Sequence, residues 1–191
     1  MQMRLAAAPL LVAAVAAALS TACEQTQDPV QPAHPSFGHG TTDLDVPTRR
    51  DLAALRAAIA PFNRFDAGEA AGWDTPLTVC WFHSELGAMG YHYGKPAIID
   101  DAVSLTEPEL LVYAPQKNGR LRLVAVEYIV PTGAWQGSEP PSLLGQEFHM
   151  TGDGALYILH VWTGLHNPAG IFADWNPNAS CEYAEESEDR A

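Results

Sequence analysis

The sequence predicts an α+β domain, mainly antiparallel β, in which an N-terminal helix packs on a small barrel or sandwich. Three observations predict it. Apolar residues recur at helical spacing over Leu52, Leu55 and Ile59. Two apolar runs, Leu110–Ala114 and Leu121–Val130, flank Asn118-Gly119, the strongest short-range hairpin signal. A third run, Leu156–Trp162, has strand length and is followed by two Asn-Pro turns and Cys181.

Taken in order, the chain opens on Arg4, an apolar run from Leu5 to Leu19, and the small residues Ser20-Thr21-Ala22 before Cys23. The run is shorter than the roughly 20 residues a membrane span needs. Residues 1–22 therefore read as a signal peptide. Cys23 stands where bacterial lipoproteins carry their lipidated first residue, while Ser20 and Ala22 also satisfy ordinary small-x-small cleavage. Either route exports the protein, lipid-anchored in the bacterial cell envelope or periplasmic and secreted. Membrane contact is expected only through an anchor at Cys23.

Residues 23–46 are rich in Gln, Pro, Thr, Asp and Gly and read as a disordered tether, with His34 and His39 as solvated residues in it. Residues 47–181 have the length of one globular domain, and 182–191 form an acidic tail expected to be disordered. The chain carries 10 Lys and Arg against 23 Asp and Glu, a formal charge of −13, which excludes nucleic acid and anionic membrane surfaces as natural partners.

Within the domain, Thr48 with Asp51 three residues on predicts a capped helix start. Pro61 predicts a kink or the first turn of a second helix carrying Phe62 and Phe65. Gly72 predicts the C-cap, with Trp73 packing back. Leu77–Phe82 is a short strand, and the glycine-punctuated Gly87–Gly94 predicts a strand with bulges or close backbone approach. Phe148 and Met150 alternate with Glu147 and His149, which places His149 outward. Trp81, Trp162 and Trp175 read as packing residues in a core this small.

Three cysteines are odd for an exported protein. With Cys23 lipidated, Cys80 and Cys181 remain as a pair able to bridge the first strand segment to the last.

Two strands carry anomalies. On the second hairpin strand Leu121, Leu123, Ala125, Glu127 and Ile129 share a face, with Arg122 on the other, so Glu127 lies in core register unless a bulge turns it outward. On the last strand His160 shares its face with Leu156, Ile158 and Trp162.

Ala70-Ala71-Gly72-Trp73, Met89-Gly90-Tyr91-His92-Tyr93, Leu123-Val124-Ala125-Val126-Glu127-Tyr128, Leu159-His160-Val161-Trp162, and Asn167-Pro168 through Asp174-Trp175-Asn176-Pro177 to Cys181 occur in that order. In these blocks the chain, over Leu52 to Cys181, resembles a family of uncharacterised exported bacterial proteins. The resemblance implies export and the domain limits, and it brings no reaction.

The chemical expectation rests on His92, Glu127 and His160. Two imidazoles and a carboxylate on neighbouring strands are the donor set of a mononuclear site for a divalent transition metal, or of a small-ligand site. His149 or His166 would supply a fourth ligand, and Asp174 or Asn176 would orient a histidine from behind. A His160–Glu127 pair satisfied inside the core, with no metal, is the structural alternative. No nucleophile elbow, phosphate loop or zinc spacing motif occurs, so no catalytic residue is assigned. Three functions follow: an envelope protein binding a metal or small ligand, a metal-dependent small-barrel enzyme, and a structural or interaction lipoprotein. The enzyme needs a cleft open beside His160, and the structural reading needs His92, Glu127 and His160 sealed in.

Overall fold

A computed structural model describes residues 44–191. The signal peptide, Cys23, His34, His39 and nearly all of the tether lie outside the described residues. Helix α1 spans Val46–Ile59. Its N-cap is Asp45, whose carboxylate accepts the Thr48 N–H at 2.8 Å, with Pro47 just inside the start. The capping residue is thus Asp45 and not Thr48. Thr48 is instead buried, and its hydroxyl donates to the Leu144 carbonyl.

At Pro61 the chain tightens into a 3-10 turn, Ala60–Asn63, and continues as the short helix α2, Phe65–Ala70. The C-cap expectation holds in detail: Gly72, at φ 102°, donates its N–H to Glu69, and Trp73 donates to Gly68, a Schellman pair. The Trp73 ring is buried 4.7 Å from Phe62, centroid to centroid.

The strands are β1 Thr75–Pro76, β2 Cys80–His83, β3 Gly87–Gly94, β4 Leu110–Pro115, β5 Leu121–Pro131, β6 Ser142–Leu143, β7 Gln146–Glu147, β8 His149–Met150, β9 Leu156–Trp162 and β10 Ser187–Asp189. The main sheet runs β10-β2-β3-β4-β5-β9-β8, with β1 on β3, antiparallel throughout except where β10 joins β2 in parallel. The fold is α+β and mainly antiparallel as the sequence indicates. The sheet is curled and open, a half-barrel whose edges β10 and β8 do not meet. The acidic segment expected as a free tail supplies β10, because β2 at the sheet edge offers unpaired backbone groups.

Both faces of the sheet are covered. Leu52, Leu55 and Ile59 of α1 join Leu111, Tyr113, Val126 and Tyr128 in one core cluster. The opposite face carries Val112, Ala125, Glu127, His160 and Trp162, matched across β4, β5 and β9. Over it folds the segment after β9, whose Asn176 bridges to Ala88 of β3 and whose Cys181 is bonded to Cys80. An open sheet covered twice buries Leu123 to Val130 without a break.

Two glycines of β3 are required by close approach. A Cβ on Gly87 would lie 2.1 Å from the Asn176 carbonyl oxygen, and one on Gly90 2.5 Å from that of Tyr113, with both residues at positive φ. The β4–β5 pairing shifts register between Val112 and Tyr113, which pair with Ala125 and Leu123. This bulge puts Leu123 on the helix side and Ala125, Glu127 and Ile129 on the other. The leucines therefore do not share the Glu127 face.

Candidate functional site

Each buried polar group is positioned by strand register. Glu127 on β5 lies directly opposite His160 on β9. His92 lies two strands away on β3, opposite Val112, which is itself opposite Ala125. The three expected ligands do converge on one face. The Nε2 of His92 is 3.6 Å from the Oε2 of Glu127, and the two imidazole centroids are 6.1 Å apart. The bulge does not turn Glu127 into solvent, because the covering segment buries this face as well.

The setting is aromatic. Trp81, His92, His160 and Trp162 form a row with successive centroids 5.6, 6.1 and 4.9 Å apart. His92 is 1% exposed, His160 0% and Glu127 7%. Such burial disfavours every charged form. It pushes the His92 imidazole down to about 3, with His160 adding to the effect. Burial likewise pushes His160 down to about 4, against a smaller upward pull from Asp174. It pushes the Glu127 carboxyl up to about 8, with Asp174 adding and His149 opposing. At neutral pH the cluster is two neutral imidazoles and a carboxylic acid.

Its hydrogen bonding is incomplete. The hydroxyl of Thr78 accepts the His92 backbone N–H at 3.1 Å and lies 2.9 Å from Nδ1 of the same ring. The Nε2 of His92 and both ring nitrogens of His160 are buried without a partner among the described residues. A 3.6 Å separation is too long for a hydrogen bond between His92 and Glu127.

Of the further candidates, His149 and Asp174 pair with each other at 3.2 Å, half-exposed over the Glu127 side of the cluster. Asp174 raises the His149 pKa by that bond and does not hydrogen-bond a buried histidine. His166 is exposed, and Asn176 orients a turn, so neither joins the cluster. Among the described residues no group of three or more His, Cys, Asp or Glu is set to hold a metal ion. The donor types suit a divalent metal; their placement does not gather them around one point. None of the four principal cavities is lined by His92, Glu127 or His160.

Two residues escaped sequence reasoning. Thr78 sits before a strand with no pattern to single it out. Glu109 is buried at the start of β4, its carboxylate accepts the Ile129 N–H at 3.1 Å, and burial pushes it up to about 7. Its signal was an acid abutting a long apolar run.

The disulfide is formed, with Cα atoms 5.8 Å apart. Such a bridge belongs to an oxidising compartment outside the cytoplasm. No helix among the described residues is long and apolar enough to cross a membrane. No protein-family model, curated protein or solved structure matches the chain.

Proposed function

We propose that this chain is an exported structural or interaction protein of the bacterial cell envelope, of the family it resembles, in which His92, Glu127 and His160 specify the fold. Export proceeds through the leader ending at Ala22, with lipidation of Cys23 or ordinary cleavage. The observation that supports the structural role is the burial of all three groups, none of which lines any of the four principal cavities among the described residues. A metal-dependent small-barrel enzyme would need the cleft beside His160 that this packing fills.

One observation favours a second reading, in which a metal ion or small polar ligand binds at the cluster. Buried polar atoms are nearly always paired. Three ring nitrogens here are not.

The test is elemental analysis of the secreted chain, purified without a His-tag, beside His160→Ala. Absence of stoichiometric metal after reconstitution, with His160→Ala strongly destabilised, supports the structural reading. A near-stoichiometric transition metal lost in the variant would overturn it and establish the site.

A further inference from the structure

The principal cleft among the described residues is not lined by the histidine cluster. Its volume is about 880 Å³, and its walls come from the turn before α2, from β3, from the β4–β5 hairpin and from the C-terminal segment. Phe65, Tyr91, Tyr93 and Tyr183 bring four aromatic rings to it, and Glu185 and Glu186 bring two carboxylates.

The aromatic wall is built and braced. Phe65 meets Tyr93 edge-on at 4.7 Å, and both meet the fully buried Tyr113 edge-on, at 5.2 and 6.0 Å. Tyr91, two residues along β3 on the same face as Tyr93, accepts the Glu185 N–H on its hydroxyl at 3.1 Å. That bond ties the C-terminal segment to the wall, and Tyr183 stands 46% exposed beside it.

The charge of the cleft is negative once internal pairing is counted. Arg64 is committed to Asp66 by a hydrogen-bonded ion pair. In the lining, Glu185 and Glu186 are then set against the one remaining cation, Arg120, on a protein of formal charge −13. Burial raises the Tyr93 phenol, with smaller additions from Tyr91, Glu69 and Glu185.

Elsewhere the chain already pairs its own cations with its own rings. Lys95 stands 4.5 Å from the Trp73 ring centroid and Arg190 4.6 Å from that of Trp81. Among the described residues the cleft tyrosines have no such partner. An aromatic corner with carboxylates at its rim is the environment that desolvates and holds an ammonium group.

We propose that this cleft binds a small organic ammonium ion, seated against the Tyr91, Tyr93 and Tyr183 rings with Glu185 and Glu186 as counter-charges. A neutral sugar would use the same rings without the carboxylates, which is the competing occupant. The site is independent of the His92 cluster, so metal analysis at His160 has no bearing on it.

The experiment is calorimetric titration of the secreted full-length mature chain with choline and tetramethylammonium. The controls are 3,3-dimethylbutan-1-ol, the neutral shape-mimic of choline, and glucose. Single-site saturable binding of the cations is expected, at least tenfold weaker for the neutral mimic and weakened further by added salt. Tyr183→Ala is expected to weaken it tenfold or more. The double variant Glu185→Gln, Glu186→Gln is expected to weaken the cation severalfold and leave the neutral mimic unchanged. Both alter exposed positions, and circular dichroism checks that they fold. Equal affinity for cation and mimic, saturable glucose binding in its place, insensitivity to Tyr183→Ala, or no saturable binding up to the millimolar range would each overturn the proposal.

Discussion

Asn167 and Asn176 lock each other's turns. The Asn167 side-chain amide donates to the carbonyl of Trp175, the residue before Asn176, at 2.9 Å; that of Asn176 donates to the carbonyl of His166, the residue before Asn167, at 3.2 Å. Each also accepts from the backbone N–H two residues on, Ala169 and Asn178 respectively, in Asx turns. The exchange folds the segment after β9 back over the His92–Glu127–His160 face, and both asparagines are buried. Asn167→Ala and Asn176→Ala are each expected to cost about 1–3 kcal/mol, since each removes a buried side chain that bonds two segments of backbone. The double variant should cost less than the sum by about 0.5–3 kcal/mol, read from urea denaturation as a double-mutant cycle. Additive losses would mean the two turns are independent.

The disulfide closes the same cover. Cys80 and Cys181 are separated by 101 positions, so in the chain-entropy model the bridge contributes about 4–5 kcal/mol. Replacing both by Ala should lower the urea midpoint accordingly. Since the segment after Cys181 contributes β10, hydrogen exchange at β10 and β2 should rise in the same variant. Protection unchanged at β10 would show that pairing with β2 holds without the covalent link.

The buried acids and imidazoles give stability an optimum. Glu127 and Glu109 have folded pKa values raised to about 8 and about 7, so they stay protonated in the folded state after ionising in the unfolded one. Their contribution is complete below about 4.5 and is lost as pH rises through those folded values. His92 and His160 are lowered to about 3 and about 4, so below about 6.5 the unfolded chain binds protons the folded one refuses, and stability falls as pH falls through that window. The opposing slopes offset each other between about pH 4.5 and 6.5. Above 6.5 only the acids act, and unfolding free energy should drop by about 1–3 kcal/mol from pH 6.5 to 8. Glu127→Gln should reduce that alkaline loss, and an equal drop in the variant would assign it to other groups.

The β6–β7 turn sets strain against burial. Leu144 has φ 56° followed by Gly145 at 72°, the pair of positive values a two-residue hairpin turn requires. A left-handed leucine costs about 1–2 kcal/mol. Its side chain is 5% exposed in the main core, and deleting such a leucine costs about 2.7–5 kcal/mol. Leu144→Gly relieves the strain but should still destabilise by about 1–3 kcal/mol in thermal or urea melts. A stabilised variant would mean that strain outweighs packing at this turn.

Local interactions were legible in the sequence because they act within a few residues. The Schellman end at Gly72, the hairpin about Asn118-Gly119, the two Asn-Pro turns and the mainly antiparallel character follow from backbone preferences that neighbours alone impose. The first-helix cap was misplaced by three residues because Asp45 and Thr48 are both good caps, and only the burial of Thr48 against Leu144 decides between them. The cysteine pair was legible from count and compartment.

What tertiary structure decided was the second face. Period-two alternation assumes one wet side, and a sheet covered by α1 on one face and by the 163–181 segment on the other erases that contrast over Leu123 to Val130. The bulge opposite Tyr113 then reverses the phase, so which residues accompany Glu127 could not be counted from Leu121. The sequence by itself determined that Glu127, His92 and His160 were polar groups out of place in apolar strands. Only register and packing, which depend on contacts between distant segments, brought the three to one buried face, left three of the four ring nitrogens unpaired among the described residues and placed the aromatic cleft elsewhere.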